Sequence, residues 1–540
     1  MTKKQSIIIT ILSVTAFILT LMVSGRFWFR LDLTKNKSFT ISNVSRSLFR
    51  ELPDNVSITY YLSDKLKSVL PAAGEIEDTL REYAAYSRGK ITLTVMDPVK
   101  SGYQITADEL GLSPKQIQSV DRDQASFITV YSGVVIEFQG SIDVIPWITS
   151  TDTLEYDITS RIRAMISGSE RQIGIIVADS FRQWNEDFSY LNMTLSEAGY
   201  RILRIAPGEE IPDSLPALFV FGGCETLDDW ALYRIDRYIQ LGGKVLFAVK
   251  GVYVDTYYGS IEARPQNDLG LLDMISSYGV TIRRELALDR SALLTRYQSQ
   301  TFSGGAQYKI ASYPLWIAVL GENGNKSHPV SAGFNGLDLY WSSPLELHAS
   351  DNVEAVSLFT STDEAWLMRG NFYTNPDIVY LMELDAMETI GPKILGAALS
   401  GTFRSFFRDA AKPEREWTEE ELPEMPTRPG YARIIVVGDT DFATNIIGAT
   451  SAAHNLEFLT RAADWLTSDD DVISIRNRQP QAGRLDKIQD TYKRASAMMF
   501  SQALNVGLVP VLVIAAGVFL SFRRKKRAKT APAKESRDDV

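Results

Sequence analysis

Two carboxylates, Asp439 and Asp441, follow the apolar run ARIIVV near the end of the chain. Open α/β sheets bind ligands at the carboxyl ends of their strands, and two carboxylates at positions i and i+2 suit a hard cation. The alternative is structural, with Gly438 forming the turn and one aspartate capping a helix that begins near Phe442. A cation would need further oxygen ligands that the sequence does not locate. We therefore favour the cap, predict no metal, and keep the pair as the candidate cation site.

Cys224 follows another apolar run and is the second candidate for chemistry. It is the single cysteine of the chain, so an internal disulfide is excluded. A catalytic thiol needs a base, usually a histidine, within hydrogen-bond reach. The three histidines, at positions 328, 348 and 454, are distant from it in sequence and have no metal-ligand spacing. We interpret Cys224 as a small buried residue.

Three arginines, Arg161, Arg163 and Arg171, cluster beside the expected domain junction. They are either a contact for an anionic partner or a solvated helix face, and the second is the commoner case. His328 precedes a proline and is interpreted as a loop or capping residue, with a ligand role as the alternative. The sequence contains no P-loop, GxSxG, HExxH or CxxC motif, so the chain is not an ATPase itself. We predict no catalytic residues and no cofactor.

The elements that precede these candidates begin with a strand at residues 56–62, after a helix that Ser42 caps. A helix at 75–87 with Ile76, Leu80 and Tyr83 on one face, a strand at 91–97 and a short helix near 107–112 follow. Three strands then meet at tight turns at Ser132-Gly133 and Gln139-Gly140, and a helix at 154–166 closes the unit. This order looks like a thioredoxin-type arrangement. The active cysteine pair of that fold would lie at residues 63–66, which read Ser-Asp-Lys-Leu. Without a thiol this domain is predicted to bind or to space, not to do redox chemistry.

From residue 171 onward, apolar strands alternate with amphipathic helices. The runs at 171–179, 200–205, 217–223, 244–249 and 432–439 are strands, separated by helices near 190–198 and 227–239. Such alternation predicts a parallel sheet covered on both faces. The acidic, proline-rich residues 410–430 are expected to form an exposed loop.

Two segments, at residues 7–23 and 499–522, are apolar and contain no charged residue. A bilayer core of about 30 Å needs roughly 20 such residues as a helix. Trp28, between two phenylalanines, is expected to anchor the first span at the interface. A cleaved signal peptide is the alternative for that segment. The second span is followed by a basic cluster, which predicts that both termini are cytoplasmic and that the remaining chain is extracytoplasmic. The cluster comprises Arg523, Arg524, Lys525, Lys526 and Arg527.

The charge of the central region excludes one class of partner. The formal net charge of the whole chain is −10. The tail from residue 523 has eight basic and three acidic residues and contributes +5, and Lys3 and Lys4 contribute +2. Residues 5–522 therefore carry a net charge of −17. An acidic region of this size argues against binding to nucleic acid. The basic tail is expected to lie near the anionic inner leaflet.

Several stretches resemble the gliding-motility-associated GldG-like auxiliary component of ABC transporters. The most specific are RIIVVGDTDFATN and NLEFLTRAADWLTSDDDVISIRNR, and the others are individually moderate. The resemblance covers most of the chain, both apolar segments included. The matching stretches lie at residues 30–42, 132–141, 154–166, 235–249, 328–347, 433–445 and 455–478.

The resemblance implies partners and not a reaction. Such proteins accompany an ABC ATPase and a multi-span permease, usually of the ABC-2 type, and their central domain is similar to class I glutamine-amidotransferase-like folds. Some carry a Gly-His-Gly-Glu-like turn where this chain reads Ala178-Asp179-Ser180-Phe181, which weakens any catalytic interpretation. The first hypothesis is a non-catalytic substrate-binding or scaffold subunit of such a complex. The alternatives are a membrane-tethered amidotransferase- or hydrolase-like enzyme and a purely structural envelope scaffold.

The fold class is therefore predicted as α/β, with a thioredoxin-like domain, a parallel-sheet domain and one membrane span at each end. The protein is expected in a bacterial inner membrane. Its possible partners include the membrane itself, an envelope protein or an unknown transported substrate. The expected segments are a tail and span (1–29), a lead-in (30–53), the thioredoxin-like domain (54–168), the GldG-type domain with insertions (169–480), a juxtamembrane segment (481–498), the second span (499–522) and the basic tail (523–540).

Overall fold

A computed structural model of the chain divides it into two compact units, Met1–Gln479 and Pro480–Val540. All residues that the structure describes belong to the first unit. They are residues 40–121, 124–151, 153–168, 171–255, 261–300, 306–348, 352–376, 390–415, 421–468 and 475.

The N-terminal part of the first unit is a small α/β domain. Ser42 accepts a hydrogen bond from the backbone N–H of Ser45 and so caps the first helix, as predicted. In chain order the elements are α1 (Asn43–Glu51), β1 (Val56–Leu62), α2 (Asp64–Val69), α3 (Ala72–Tyr86), β2 (Ile91–Met96), α4 (Pro98–Ser101), α5 (Gln104–Glu109), β3 (Lys115–Asp121), β4 (Gln124–Val130), β5 (Ser132–Phe138), β6 (Ser141–Ile145) and α6 (Leu154–Ser167).

The sheet of this domain has the order β2-β1-β5-β6, with β1 parallel to β2 and antiparallel to β5. The predicted turn at Gln139 and Gly140 is confirmed, since both residues have positive φ between the paired strands β5 and β6. The predicted corner at Ser132 and Gly133 is wrong. Strand β4 pairs with β3, a strand that the sequence analysis missed, and not with β5.

Helices α3 and α6 cover one face of this sheet. Ile76, Leu80 and Tyr83 recur at helical spacing and are buried, as the sequence pattern predicts. Ser63 lies where a thioredoxin-type fold would have its first cysteine. Its hydroxyl accepts from the backbone N–H of Tyr131 at 3.0 Å, so the position is a polar structural contact.

The second part of the unit is a larger α/β domain built on one sheet. Its helices are α7 (Trp184–Asp187), α8 (Ser189–Glu197), α9 (Asp229–Gln240), α10 (Leu271–Ser277), α11 (Ile446–Thr450) and α12 (Ala453–Thr467), with 3-10 turns at Gly321–Asn323 and Asp441–Ala443. Its strands are β7 (Gln172–Ala178), β8 (Arg201–Arg204), β9 (Ala217–Gly222), β10 (Lys244–Ala248), β11 (Val252–Asp255), β12 (Glu262–Pro265), β13 (Val280–Ile282), β14 (Leu286–Asp289), β15 (Ala292–Gln300), β16 (Ala306–Leu320), β17 (Gly336–Tyr340), β18 (Leu345–Leu347), β19 (Val353–Thr360), β20 (Ala365–Met368), β21 (Ile394–Thr402) and β22 (Tyr431–Val437).

The main sheet has nine strands, in the order β13-β18-β21-β22-β10-β9-β7-β8, with β19 also paired to β21. Strands β8, β7, β9, β10 and β22 run parallel to one another. The expectation of a purely parallel sheet is wrong, because β21 joins β22 antiparallel and the remaining strands continue in that way. The fold is α/β, and its main sheet is mixed parallel and antiparallel. The parallel half of the sheet contains the strands identified from the sequence.

Both faces of the parallel half are buried, which explains why its strands are apolar along their whole length. In β9, Leu218 and Val220 point to the face covered by α9 and α10. Phe219 and Phe221 point to the opposite face, where α8 and α12 pack. The same alternation in β10 and β22 produces two hydrophobic cores separated by the sheet.

Strands β14 to β17, together with β20, form an insertion that the sequence patterns did not predict. They make two small antiparallel sheets, β14-β20 and β15-β16-β17, whose apolar side chains extend the core on the α8 and α12 face. The predicted exposed loop at 410–430 is partly wrong, since Leu422 is buried and the hydroxyl of Tyr233 donates to the carbonyl of Pro423.

Within the described ranges, the structure contains no helix that combines the length and the apolar character needed to cross a bilayer. The two segments predicted to span a membrane, at 7–23 and 499–522, lie outside these ranges.

Candidate functional site

Four loops meet at the carboxyl ends of the parallel strands. Ala178 ends β7, Gly222 ends β9, Ala248 ends β10 and Val437 ends β22. Because these strands are neighbours and run parallel, their following residues converge at one edge of the sheet. The candidate residues Asp439 and Asp441 lie at this edge, as the position of GDTDF after a buried strand predicts.

The edge contains a topological switch point. Strand β8 lies on one side of β7, whereas β9 and β10 continue on the other side. Ligands in open α/β sheets bind in the crevice at such a reversal. An open cleft of about 570 Å³, solvent at its mouth included, lies there. It is lined by Ala178, Asp179, Ser180, Phe181, Arg182, Gly222, Gly223, Cys224, Glu225, Thr226, Lys250, Tyr253, Val254, Gln266, Thr440 and Asp441.

The floor of the cleft is an ion-pair network centred on Lys250. Its ammonium lies 3.2 Å from Oδ1 of Asp439 and also contacts Oδ2 of Asp441. The other oxygen of Asp441 is bound by the guanidinium of Arg182. All four side chains are buried or half-buried. Two cations of the protein therefore occupy the positions that a metal ion would take beside the two aspartates.

Asp439 is further fixed by the backbone. Its Oδ2 accepts from the N–H of Tyr340 at 2.6 Å, and its Oδ1 accepts from the N–H of Asp441 at 2.7 Å. The second bond lies at the start of the 3-10 turn Asp441–Ala443, so Asp439 supports a short helical turn near the predicted position. Among the described residues there is no group of three or more His, Cys, Asp and Glu side chains that could hold a metal.

The pKa values of Asp439 and Asp441 are shifted in opposite directions from that of an ordinary aspartate. Burial raises the pKa of Asp439 to about 6, an effect that Lys250 only partly offsets. Burial also acts on Asp441, but Lys250 and Arg182 outweigh it and lower the pKa of that carboxyl. Asp441 is thus the more firmly ionised member of the pair.

Cys224 lies in the cleft wall but is not arranged for catalysis. Its thiol points to the carbonyl of Lys250, with an S···O distance of 3.6 Å. Burial, the largest influence, raises the pKa of the thiol. The side chains that line the cleft include no histidine, and Lys250 is engaged as an ammonium and offers no lone pair. Cys224 therefore has no base beside it in the described part of the cleft.

The loop after β9 approaches the loop after β7 closely. Gly222 has φ +76°, and a Cβ at this position would lie 2.9 Å from the carbonyl oxygen of Ala178. The hydroxyl of Thr226 donates to the same carbonyl at 2.6 Å. A glycine is therefore required at the end of β9 for the two walls of the cleft to meet.

The rim of the cleft is aromatic. Phe181 is 52% exposed, and its ring centroid lies 6.5 Å from that of Tyr253. The guanidinium of Arg264 lies over the Tyr253 ring at 4.5 Å and forms two hydrogen bonds with Glu225. On the inner wall, the side-chain oxygen of Gln266 is buried and has no hydrogen-bond partner among the described residues.

Most of these residues could not be identified from the sequence patterns. The signal for Lys250 was available, as a single cation directly after the apolar run KVLFAV. The signals for Arg182 and Gln266 were not, because their roles depend on chain segments that meet only in the fold. Asp441 and Arg182 are 259 positions apart.

The other predicted residues lie elsewhere. Arg161 and Arg171 are buried in ion pairs with Asp143 and Asp464, so neither the solvated face nor the partner contact describes them. His328 is a packing residue against Trp465, and burial lowers its pKa to about 4. The predicted membrane anchors lie outside the described residues, namely Trp28, Arg523, Arg524, Lys525, Lys526 and Arg527.

Comparison with known proteins gives two family matches. Residues 170–462 match a family described as an ABC-type uncharacterized transport system, and residues 35–137 match a domain of unknown function, DUF7088. The first match contains the whole cleft. A similar protein from Borreliella burgdorferi, named only as uncharacterized, is 25% identical over 93% of this chain and 94% of its own length.

Among solved structures, the exo-beta-1,4-mannosidase Op5Man5 from Opitutaceae bacterium strain TAV5 matches with 12% identity and a TM-score of 0.21. The match covers 73% of this chain and 49% of the other, so the chain spans about half the length of that protein. At this TM-score the likeness carries no argument about fold or activity.

Proposed function

This chain belongs to the family described as an ABC-type uncharacterized transport system, and we propose that it serves such a system as a non-catalytic auxiliary subunit. Family membership favours a transport-associated role without enzymatic activity. The observation that carries the proposal is the cleft inside the family-matched region. Its position fits a ligand site, while Lys250 is ion-paired with Asp439 and Asp441 and the Cys224 thiol is buried, so that neither is poised for reaction.

We further propose that the subunit is of the GldG-like type and works with an ABC ATPase and a multi-span, ABC-2-type permease. The support is the set of sequence stretches that resemble this component, above all RIIVVGDTDFATN. The chain has no Walker motif, so the energy for transport would come from its partner. Involvement in gliding is not part of the proposal.

In this arrangement the protein is anchored in a bacterial inner membrane, and the described domains are extracytoplasmic. The apolar segments 7–23 and 499–522 span the bilayer, and both termini are cytoplasmic. The basic run from Arg523 to Arg527 and the aromatic Trp28 support this orientation. The acidic character of residues 5–522 is compatible with a region held away from anionic lipid.

The N-terminal domain is proposed to be thioredoxin-like and to act as a binding or spacing module. Its sheet order β2-β1-β5-β6 and the helices after β1, β2 and β6 support this assignment. The larger domain is similarly proposed to be related to class I glutamine-amidotransferase-like folds, on the basis of its parallel order β8-β7-β9-β10-β22.

Affinity purification of the full-length chain from its native membrane in mild detergent tests the transport assignment. We expect an ATPase and a permease in near-equal amounts with the tagged chain. The control is a variant with Arg523, Arg524 and Lys525 changed to alanine, which reports whether capture depends on correct membrane orientation. Recovery of the unaltered chain alone, or with envelope proteins only, would contradict the proposal.

A further inference from the structure

We propose that the cleft at the β7/β9 switch point binds a positively charged group that carries N–H donors, a primary ammonium or a guanidinium. The inference rests on the proposed function, since it names the ligand chemistry of a subunit that binds and does not react. A small free amine and a basic side chain of a polypeptide share this chemistry.

The charge balance of the cleft favours a cation over an anion. Its lining contains three carboxylates, Asp179, Glu225 and Asp441, and two cations, Arg182 and Lys250. Both cations are already bound to Asp441, and Lys250 also binds Asp439 behind it. Among the described lining residues, an incoming anion would find no cation without a carboxylate partner, and it would add to a local excess of negative charge.

Asp179 is the cleft carboxylate best able to accept further hydrogen bonds from a ligand. Glu225 is held by two hydrogen bonds from Arg264. Asp179 has a more distant cation, with Nε of Arg182 3.7 Å from its Oδ2, and its Oδ1 accepts from the backbone N–H of Phe181 at 2.8 Å. Its side chain is 24% exposed at the cleft. A ligand cation would give it a direct, charge-assisted partner.

The wall of the cleft offers acceptors. The side-chain oxygen of Gln266 is buried and lacks a donor among the described residues, and Ser180, an exposed residue next to Asp179 in the sequence, lines the same cleft. An ammonium has three donors and a guanidinium has five, and neither has an acceptor. A ligand of this class would therefore supply hydrogen-bond donors to these acceptors.

The aromatic rim suits the same charge. A cation over the face of a phenyl or phenol ring is attracted by the ring quadrupole. The Tyr253 ring already holds one guanidinium of the protein at 4.5 Å. Phe181 lies next to it, is 52% exposed and lines the same cleft. The net charge of −17 on residues 5–522 also draws cations to this region.

The inference is tested by measuring the binding of small probes to the full-length protein with saturation-transfer NMR titrations. The probes are n-butylguanidinium, n-butylammonium, butyrate, n-butanol and the blocked peptide acetyl-Gly-Arg-Gly-amide. We expect the cations to bind and butyrate and butanol not to bind. Tighter binding of the peptide identifies a polypeptide side chain as the source, and equal or tighter binding of the small amines identifies a free amine; both results support the shared chemistry.

Asp179→Asn should weaken butylguanidinium binding by about tenfold or more, as expected for a lost hydrogen bond to a charged group. Phe181→Ala should weaken it less. The matched control is Asp213→Asn, which removes the same charge from an exposed ion pair with Arg237 that is not part of the cleft lining. Circular dichroism and the urea midpoint report whether each variant is folded.

Three results would overturn the inference: preferential binding of butyrate, unchanged binding in a folded Asp179→Asn variant, and equal weakening by Asp213→Asn, which would reduce the effect to the general field. Co-purification of ATPase and permease is measured on the same preparations. Partners without amine binding refute only the ligand assignment, whereas amine binding without partners refutes only the transport assignment.

Discussion

The ammonium of Lys250 lies 3.2 Å from the carboxylate of Asp439, although the two residues follow different strands that are far apart in the sequence. The contact joins the ends of β10 and β22 and turns a pair of acidic residues into part of a neutralised network. Stability, titration and ligand selection at this edge of the sheet all depend on that network.

Lys250→Met should destabilise the protein by about 3–5 kcal/mol, because it leaves two buried carboxylates without their shared cation. Urea unfolding of the full-length chain, followed by tryptophan fluorescence, measures the loss. Arg404→Met is the control, since its partner pair with Asp409 is exposed on both sides and should leave the midpoint nearly unchanged. A Lys250→Met midpoint equal to that of the control would contradict the role of the network.

Asp439 should make stability depend on pH between about 4 and 6. Its pKa is raised to about 6 in the folded state, so the folded chain holds a proton that the unfolded chain releases above its ordinary value of 3.8. Its contribution is therefore most favourable below pH 4 and falls as pH rises to 6, by up to about 3 kcal/mol. The difference in unfolding free energy between the parent and Asp439→Asn, measured from pH 4 to 8, should decrease over that interval and then level off. A difference that is flat or increases with pH would refute the assignment.

Cys224 should be chemically silent in the folded protein. Its thiol is buried and its pKa is raised, so little thiolate exists at neutral pH. Iodoacetamide at pH 7.5 should modify the native chain far more slowly than the chain in 8 M urea, as followed by intact mass. Cys224→Ser should retain the co-purifying partners. Fast modification of the native chain would instead identify a reactive thiol.

Gly222→Ala should cost more than positive φ alone. Gly370 provides a matched comparison, because its φ is +75° but a Cβ there meets nothing within 4 Å, whereas a Cβ at Gly222 would be 2.9 Å from the Ala178 carbonyl. We expect about 1 kcal/mol for Gly370→Ala and a clearly larger loss for Gly222→Ala, together with weaker binding of butylguanidinium. Equal losses at the two positions would show that the close approach of the loops is not important.

The proposed orientation can be tested with single cysteines in a Cys224→Ser background. Glu364→Cys lies at an exposed turn of the larger domain, and Ala528→Cys lies in the basic tail. A membrane-impermeant maleimide should label the first position in intact spheroplasts and the second only after lysis. Labelling in the opposite pattern would place the described domains in the cytoplasm.

Local sequence patterns were sufficient where an element is determined by its own residues. The cap at Ser42 and the buried face of Ile76, Leu80 and Tyr83 were predicted because both depend on spacing within one helix. The strands of the parallel half were found because burial on both faces makes them continuously apolar. The position of Asp439 and Asp441 followed from the same run.

The remaining features depend on contacts between distant parts of the chain. Strand β21 looks like any short apolar run, and only its pairing with β22 shows that the sheet turns antiparallel. Arg161 and Arg171 were expected at a surface because isolated arginines usually are, yet each has an acidic partner that the fold supplies. The same holds for Lys250, whose second partner, Asp441, is 191 positions away.

Helix α6 belongs to the N-terminal domain and contacts the larger domain at two positions. The hydroxyl of Tyr156 lies 3.1 Å from that of Ser468, and the guanidinium of Arg161 packs so closely on Gly199 that a side chain there would collide with it. The two contacts are more than one turn of the helix apart. A rotation of one domain about either contact would therefore have to break the other contact.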